Sequence, residues 1–291
     1  MVGRTRQSYY ERTWRGNMRA VKEDEVLALV QRVRAQMPRL GTRKLYELLH
    51  GEFAERQLKV GRDKLFTILR HKGLLMARRR RYTKTTDSRH WMHKYPNLVK
   101  DLPLERPEQV FVSDITYIAT DEGYNYLSLV TDAASKKIMG YALREDLSGQ
   151  GCLEALAMAL GRRTTEAPLI HHSDRGLQYC CKDYVEMLSE HEVGISMTEN
   201  GDPYENAIAE RVNGILKEEF YLSETFASHT QAAKHIAQSI EIYNTQRPHM
   251  SCQMMIPEQA HQCRTLSVKS WKKNIKKKAH KRNPVSPQAL T

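Results

Sequence analysis

The chain has 291 residues, 46 Lys and Arg against 34 Asp and Glu, a net charge of +12, and 40% hydrophobic residues. That length and apolar content suit one large domain or two modest ones, and the most apolar stretch, 151–160, is broken by Glu154 and too short to span a bilayer. The five cysteines (Cys152, Cys180, Cys181, Cys252 and Cys263) are odd in number and form no C-x-x-C pair, which weighs against a disulfide framework.

Charge is unevenly spread. Residues 1–100 hold 25 basic and 9 acidic side chains, 101–268 hold 13 and 25, and 269–291 hold 8 and none. Two basic arms suit a polyanion. An acidic middle repels phosphate unless some of its carboxylates hold cations that reverse the local charge. The opening MVGRTRQSYY carries no apolar signal region, so the expected location is cytoplasmic.

In chain order, DEVLALVQRVRAQ at 24–36 spaces Val26, Leu27, Leu29, Val30 and Val33 as a helix, ended by Pro38 and Gly41. A second helix follows Thr42, with Leu45, Leu48 and Leu49 on one stripe. A third runs from about Arg62 to Gly73. Three short helices with basic residues on the last fit an all-α helix-turn-helix region over 1–76. Arg62, Lys64 and Arg70 are its candidate DNA contacts, against the plainer reading of a helical bundle with a solvated basic face. Residues 77–107 read as a basic linker, in which Arg78, Arg79, Arg80 and Arg81 could grip phosphate. His90 and His93 have H-x-x-H spacing but no nearby cysteine to complete a zinc site.

From residue 109 the pattern changes. QVFVSDITYI, NYLSLVTDAA and KKIMGYAL read as a meander of three strands. A helix over about 148–161, a strand at PLIHHS, a helix over about 180–191 and a strand at GISMT follow. A long helix is expected from about Tyr204 to Glu219, and another over 230–245. The spacing predicts an α/β domain over 108–265. The basic tail, 266–291, is expected to be disordered.

Three acids stand out by placement. Asp114 lies inside an apolar strand, where a charge is costly unless it is paired or bound to a cation. Asp174 follows a short buried strand, at the strand end where open α/β sheets place their sites. Glu210 shares a helix face with Asn206, Asn213 and Lys217, while Ala207, Ile208, Val212, Ile215 and Leu216 can supply the buried side. Each signal alone also fits a turn, a cap or an exposed stripe. Lys217 and Asn206 on that face are candidate DNA contacts, and His172, Arg175 and Arg247 are further candidates for phosphate contact. Asp132 fits a turn, and Asp202 fits a cap beside Glu205.

The segments SDITYI (113–118), HHSDRGLQY (171–179), MTENGDPYENAIAERVNGILKEE (197–219) and YNTQRPH (243–249) together resemble the OrfB-type transposases of bacterial insertion sequences, within the DDE integrase/transposase superfamily. The 35 residues between Asp174 and Glu210, and Lys217 seven residues on, resemble that superfamily's pattern too. The likeness spans about 24–262 and lacks the His/His/Cys/Cys zinc module of retroviral relatives. It implies a ribonuclease-H-like catalytic domain with a mixed sheet and flanking helices. It also implies a site in which Asp114, Asp174 and Glu210 hold two Mg²⁺, or Mn²⁺ as substitute, for cleavage and strand transfer at DNA ends. The implied partners are double-stranded DNA, further copies of the chain on that DNA, and an upstream-frame protein or fusion product. Three other readings compete on the residues: a non-catalytic DNA-binding regulator, a tyrosine recombinase and a nuclease of RNA–DNA hybrids.

Overall fold

The computed structural model describes residues 6–77, 92–199 and 206–266, with side chains from residue 21 onward. The predicted contacts Arg78, Arg79, Arg80 and Arg81 lie outside the described residues, as do His90, Asp202, Glu205 and the tail from 267.

Eleven residues of β1 (Val110–Thr120) are rich in β-branched and aromatic side chains, and ten of β2 (Gly123–Asp132) return antiparallel after a two-residue turn. β3 (Ile138–Arg144) pairs antiparallel with β2. Two shorter strands, β4 (Ile170–Ser173) and β5 (Gly194–Met197), run parallel to β1 on its other side. The sheet order is β3-β2-β1-β4-β5. Strand alternation gives each strand two faces, and helices cover both. α4 (Gly149–Gly161) and α6 (Lys182–Glu190) bury Leu156, Tyr184 and Leu188 against one face, with Phe111 and Met139. α7 (Ala207–Glu219) and α8 (His229–Gln246) bury Val212, Ile215 and Ile240 against the other, with Ile118 and Leu127. This layering is the ribonuclease-H-like arrangement expected.

The N-terminal helices are α1 (Arg6–Gln36), α2 (Thr42–Glu55) and α3 (Arg62–His71). Their apolar stripes, including Val26, Leu45 and Leu65, belong to the same buried cluster as Val212, Leu216 and Ile236 of α7 and α8. Residues 92–104 form no helix or strand but lie along the sheet. The Leu98 amide donates to Ser196 Oγ at 2.9 Å, and the Met197 amide donates to the Pro96 carbonyl at 3.2 Å.

Several boundaries differ from the sequence-based expectation. α1 starts at Arg6 rather than near Asp24, so the first helix is long. The helix expected over about 180–191 is α6, and a one-turn helix that was not expected, α5 (Leu177–Cys180), precedes it, set apart by the extended backbone of Cys181. α7 begins at Ala207, with Asn206 as its N-cap. All five cysteines are free thiols. Burial pushes Cys152 and Cys180 each up to about 11, so neither is a thiolate at neutral pH. No helix among the described residues is long and apolar enough to cross a membrane.

Candidate active site

Strand pairing sets the site's level. Val112 pairs with His172 across β1 and β4, and Asp114 and Asp174 each lie two residues further along. The two acids therefore stand side by side at the same height on the sheet. Asp114 shares the β1 face with Val112, Thr116 and Ile118, the face on which α7 packs. Asp174 leaves the end of β4, and its Oδ1 accepts the Gly176 amide at 3.0 Å, closing a tight turn. A Cβ on Gly176 would stand 3.0 Å from that oxygen, so a side chain there would oblige the Asp174 carboxylate to shift by a few tenths of an ångström.

α7 brings the third acid. Its N-cap, Asn206, is buried and donates from Nδ2 to the Ser113 carbonyl at 2.9 Å, tying the helix start to β1. Asn213, two turns on, donates from Nδ2 to Asp114 Oδ2 at 2.8 Å. Asp114 Oδ1 accepts the Ile115 amide at 3.0 Å. Glu210 lies in the first turn, exposed, between these two asparagines. Burial, then the charge of Asp174 and more weakly that of Glu210, pushes the Asp114 carboxyl up to about 7, against the Asn213 hydrogen bond. The three acids thus share one electrostatic neighbourhood. Lys217 is half-buried on the same side. Burial pushes its ammonium down, and the Asp114 charge opposes that shift.

Mutually repelling carboxylates, all hard oxygen donors, suit a hard divalent cation. Among the described residues no three acid, histidine or cysteine side chains close around one ion as they stand. Glu210 is the exposed and most flexible member, with three side-chain torsions through which to reach its partners.

Several expected contacts have other roles. Asn206 is spent on β1 rather than presented to DNA, because its amide satisfies a strand carbonyl. His172 is fully buried, with Nδ1 2.8 Å from Ser196 Oγ, and cannot reach a phosphate. Arg247 is only 1% exposed and grips Glu219 through Nε and Nη2, both at 2.8 Å. Ala207 is exposed and Ile208 half-buried, so Ala209 joins Val212, Ile215 and Leu216 as the buried side of α7. Asp132 is the turn residue expected, accepting the Ser135 amide and hydroxyl at 2.6 and 2.8 Å. Arg175 follows Asp174 at the site and is half-buried. On α3, Arg62 pairs with its neighbour Asp63 at 3.0 Å, Lys64 lies 3.4 Å from Glu23 of α1, and Arg70 is exposed.

Other residues that shape the site were not singled out from the sequence. Beneath Asp114, the hydroxyls of Ser113 and Tyr184 meet at His171 Nε2, at 2.7 and 2.9 Å. Burial, with His172 alongside, pushes His171 down to about 3, so this support is uncharged. Asn213 was placed on the polar stripe without a role. Its position three residues after Glu210 was the available signal.

A mixed five-stranded sheet between two helical layers, with three acids in one electrostatic neighbourhood, defines a ribonuclease-H-like protein. Comparison narrows the class: family models described as Integrase core domain match residues 105–203 and 191–257. The chain is 35% identical over 253 residues to the insertion element IS600 uncharacterized 31 kDa protein of Shigella sonnei, covering 86% of this chain and 92% of that one. It is also 35% identical over 193 residues to transposase InsF for insertion sequence IS3A of Escherichia coli, covering 66% of this chain and 67% of that one. A weaker likeness, TM-score 0.47 at 17% identity over 86% of this chain and 78% of that chain, is to the simian T-cell lymphotropic virus intasome in complex with PP2A regulatory subunit B56 gamma. The chain belongs to the DDE transposases of bacterial insertion sequences, which carry an integrase core domain.

Proposed function

We propose that Asp114, Asp174 and Glu210 are the catalytic, metal-holding acids of this transposase. They would hold two divalent cations, Mg²⁺ or Mn²⁺, for cleavage at the element's ends and strand transfer. The observation that carries this reading is the half-buried Asp114 carboxyl inside an apolar strand, sharing its electrostatic surroundings with Asp174 and Glu210 and bonded by Asn213. Bound cations would supply an activated oxygen nucleophile and neutralise charge at the attacked phosphate. The chain's own residues do the rest. Asn213 and the Ile115 amide fix which way Asp114 presents its oxygens. The Gly176 amide does the same for Asp174. Lys217 and Arg175 are proposed to hold a phosphate oxygen and orient the strand for in-line attack. Arg62, Lys64 and Arg70 on α3, with Arg78, Arg79, Arg80 and Arg81, are proposed as DNA contacts.

The substrate is double-stranded DNA, acted on in the cytoplasm where a bacterial chromosome lies. Two ends must meet, so a multimer on DNA is proposed. An upstream-frame protein or fusion product remains a proposed partner. The test is a strand-transfer assay on labelled DNA carrying the element's ends, comparing wild type with Asp114→Asn, Asp174→Asn and Glu210→Gln. Wild type should give metal-dependent products. Each variant should lose them by more than about 100-fold, beyond what residues outside the ligand set contribute, while still binding the ends. Products that survive all three changes would overturn the carboxylate mechanism.

A further inference from the structure

The last residue of α7 is held by two parts of the chain remote from the catalytic acids. Arg247, from the segment after α8, forks onto both carboxylate oxygens of Glu219. Lys44, on α2, donates to Oε1 at 2.8 Å. The backbone end of α7 is held as well: the Arg39 amide, in the turn between α1 and α2, donates to the Glu219 carbonyl at 3.3 Å. His235 Nε2 of α8 lies 2.9 Å from the Phe220 carbonyl. Carbonyls at a helix end have no partner within the helix. Here they are satisfied by the N-terminal helical unit and by α8.

The Lys44 and Glu219 side chains are each only 12% exposed, and Arg247 is 1% exposed. Their geometry is therefore little softened by solvent. Glu219 and Glu210 sit nine residues apart on one helix, on opposite faces. Any turn of α7 about its axis is thus shared by both. A carboxylate roughly 6 Å from the axis moves about 1.5 Å for a 15° turn, and productive sites tolerate about 0.5 Å.

We infer that the Lys44–Glu219–Arg247 node is a positioning device through which the N-terminal helical unit sets the rotation of α7, and so brings Glu210 to Asp114 and Asp174. Lys44 and Glu219 are positioning residues that act through Glu210. The inference rests on the proposed carboxylate site. It makes the helical unit part of catalytic assembly as well as a DNA-binding arm.

The test uses the full-length protein. Lys44→Met removes one of the two cations on Glu219 and leaves the Arg247 fork intact. Lys44→Arg restores a donor, and Lys44→Gln keeps a neutral one as a milder second variant. Mn²⁺ binding is read from the loss of the free-ion electron paramagnetic resonance signal, beside circular dichroism, end binding and strand transfer. Lys44→Met should keep its helicity and bind DNA ends normally. Its half-saturating Mn²⁺ concentration should rise about tenfold, with Lys44→Gln intermediate and Lys44→Arg near wild type. If either folded variant, Lys44→Met or Lys44→Gln, binds Mn²⁺ and transfers strands as wild type does, the coupling is overturned. If wild type itself binds no Mn²⁺, or binds it equally after Asp174→Asn, the carboxylate site falls and the coupling with it. That failure is distinguishable because it appears in the reference protein.

Discussion

Both oxygens of Asp114 have a protein donor, and the donor that matters for the site comes from α7. The Ile115 amide is local and would be present in any strand of this shape, whereas the Asn213 amide arrives from a helix 99 residues away. Asn213 therefore does two jobs with one hydrogen bond: it lowers the cost of a half-buried charge and it fixes the orientation of the Asp114 carboxyl. Its Oδ1 is buried without a hydrogen-bond partner, so it gains little else from its position. Asn213→Ala should reduce strand transfer by about 10- to 100-fold and raise the metal concentration required, as loss of an outer partner of a metal ligand does. A metal titration of transfer checks this, and an unchanged titration would remove Asn213 from the site. Asp114 could be singled out in the sequence because a charge inside an apolar strand is costly unless it is paired or bound to a cation, whereas Asp174 and Glu210 drew their weight from the family resemblance. His172 and Arg247 were misread for the converse reason. Each is a polar residue in a suggestive motif, but whether it faces solvent depends on contacts made across the sheet or by a distant helix.

The strands of the sheet were readable from alternation and β-branching, since each buries at least one face. The first 18 residues of α1 were not, because apolar spacing begins only at Val26. A helix without an apolar stripe leaves no period to count. The four residues of α5 were unread for a related reason: a single turn is too short to show a period, although its Tyr179 and Cys180 join Tyr184 and Leu188 of α6 in one cluster. One contact between elements was equally silent. α4 lies so close to β3 that a Cβ on Gly140 would stand 1.9 Å from the Ala155 carbonyl oxygen and 2.9 Å from the Ala159 amide nitrogen. Those are backbone atoms of a packed helix, with no flexible side chain to give way. Gly140→Ala should therefore push α4 off the sheet and destabilise the protein by about 3 kcal/mol, the upper end for overpacking. Urea unfolding would measure this as a lower midpoint at similar slope. A midpoint matching wild type would mean that α4 packs less closely than described.

At the scale of the whole molecule, the helical unit and the catalytic sheet share a buried apolar cluster, and one acid sits where they meet. Burial by itself would push the Glu219 carboxyl up. The charge and hydrogen bonds of Arg247, joined by those of Lys44, outweigh it and hold the carboxyl down to about 2 from an ordinary 4.5. An unfolded chain takes up this proton near pH 4.5, while the folded chain resists until about pH 2. The stability that Glu219 supplies is therefore complete above about pH 4.5 and is lost as pH falls toward 2. The difference corresponds to about 3 kcal/mol, much of it acting where α2, α7 and the segment after α8 converge. Glu219→Gln should remove this acid-dependent share and leave Arg247 as a buried charge with a weaker partner, costing about 3–5 kcal/mol at neutral pH. Thermal unfolding across pH 2–6 would show it. Wild type should lose stability steeply below pH 4.5, and the variant, already weaker at pH 6, should fall with a slope shallower by about one proton. Equal slopes would place the acid sensitivity elsewhere and would mean that Glu219 does not bear the junction between the two halves of the chain.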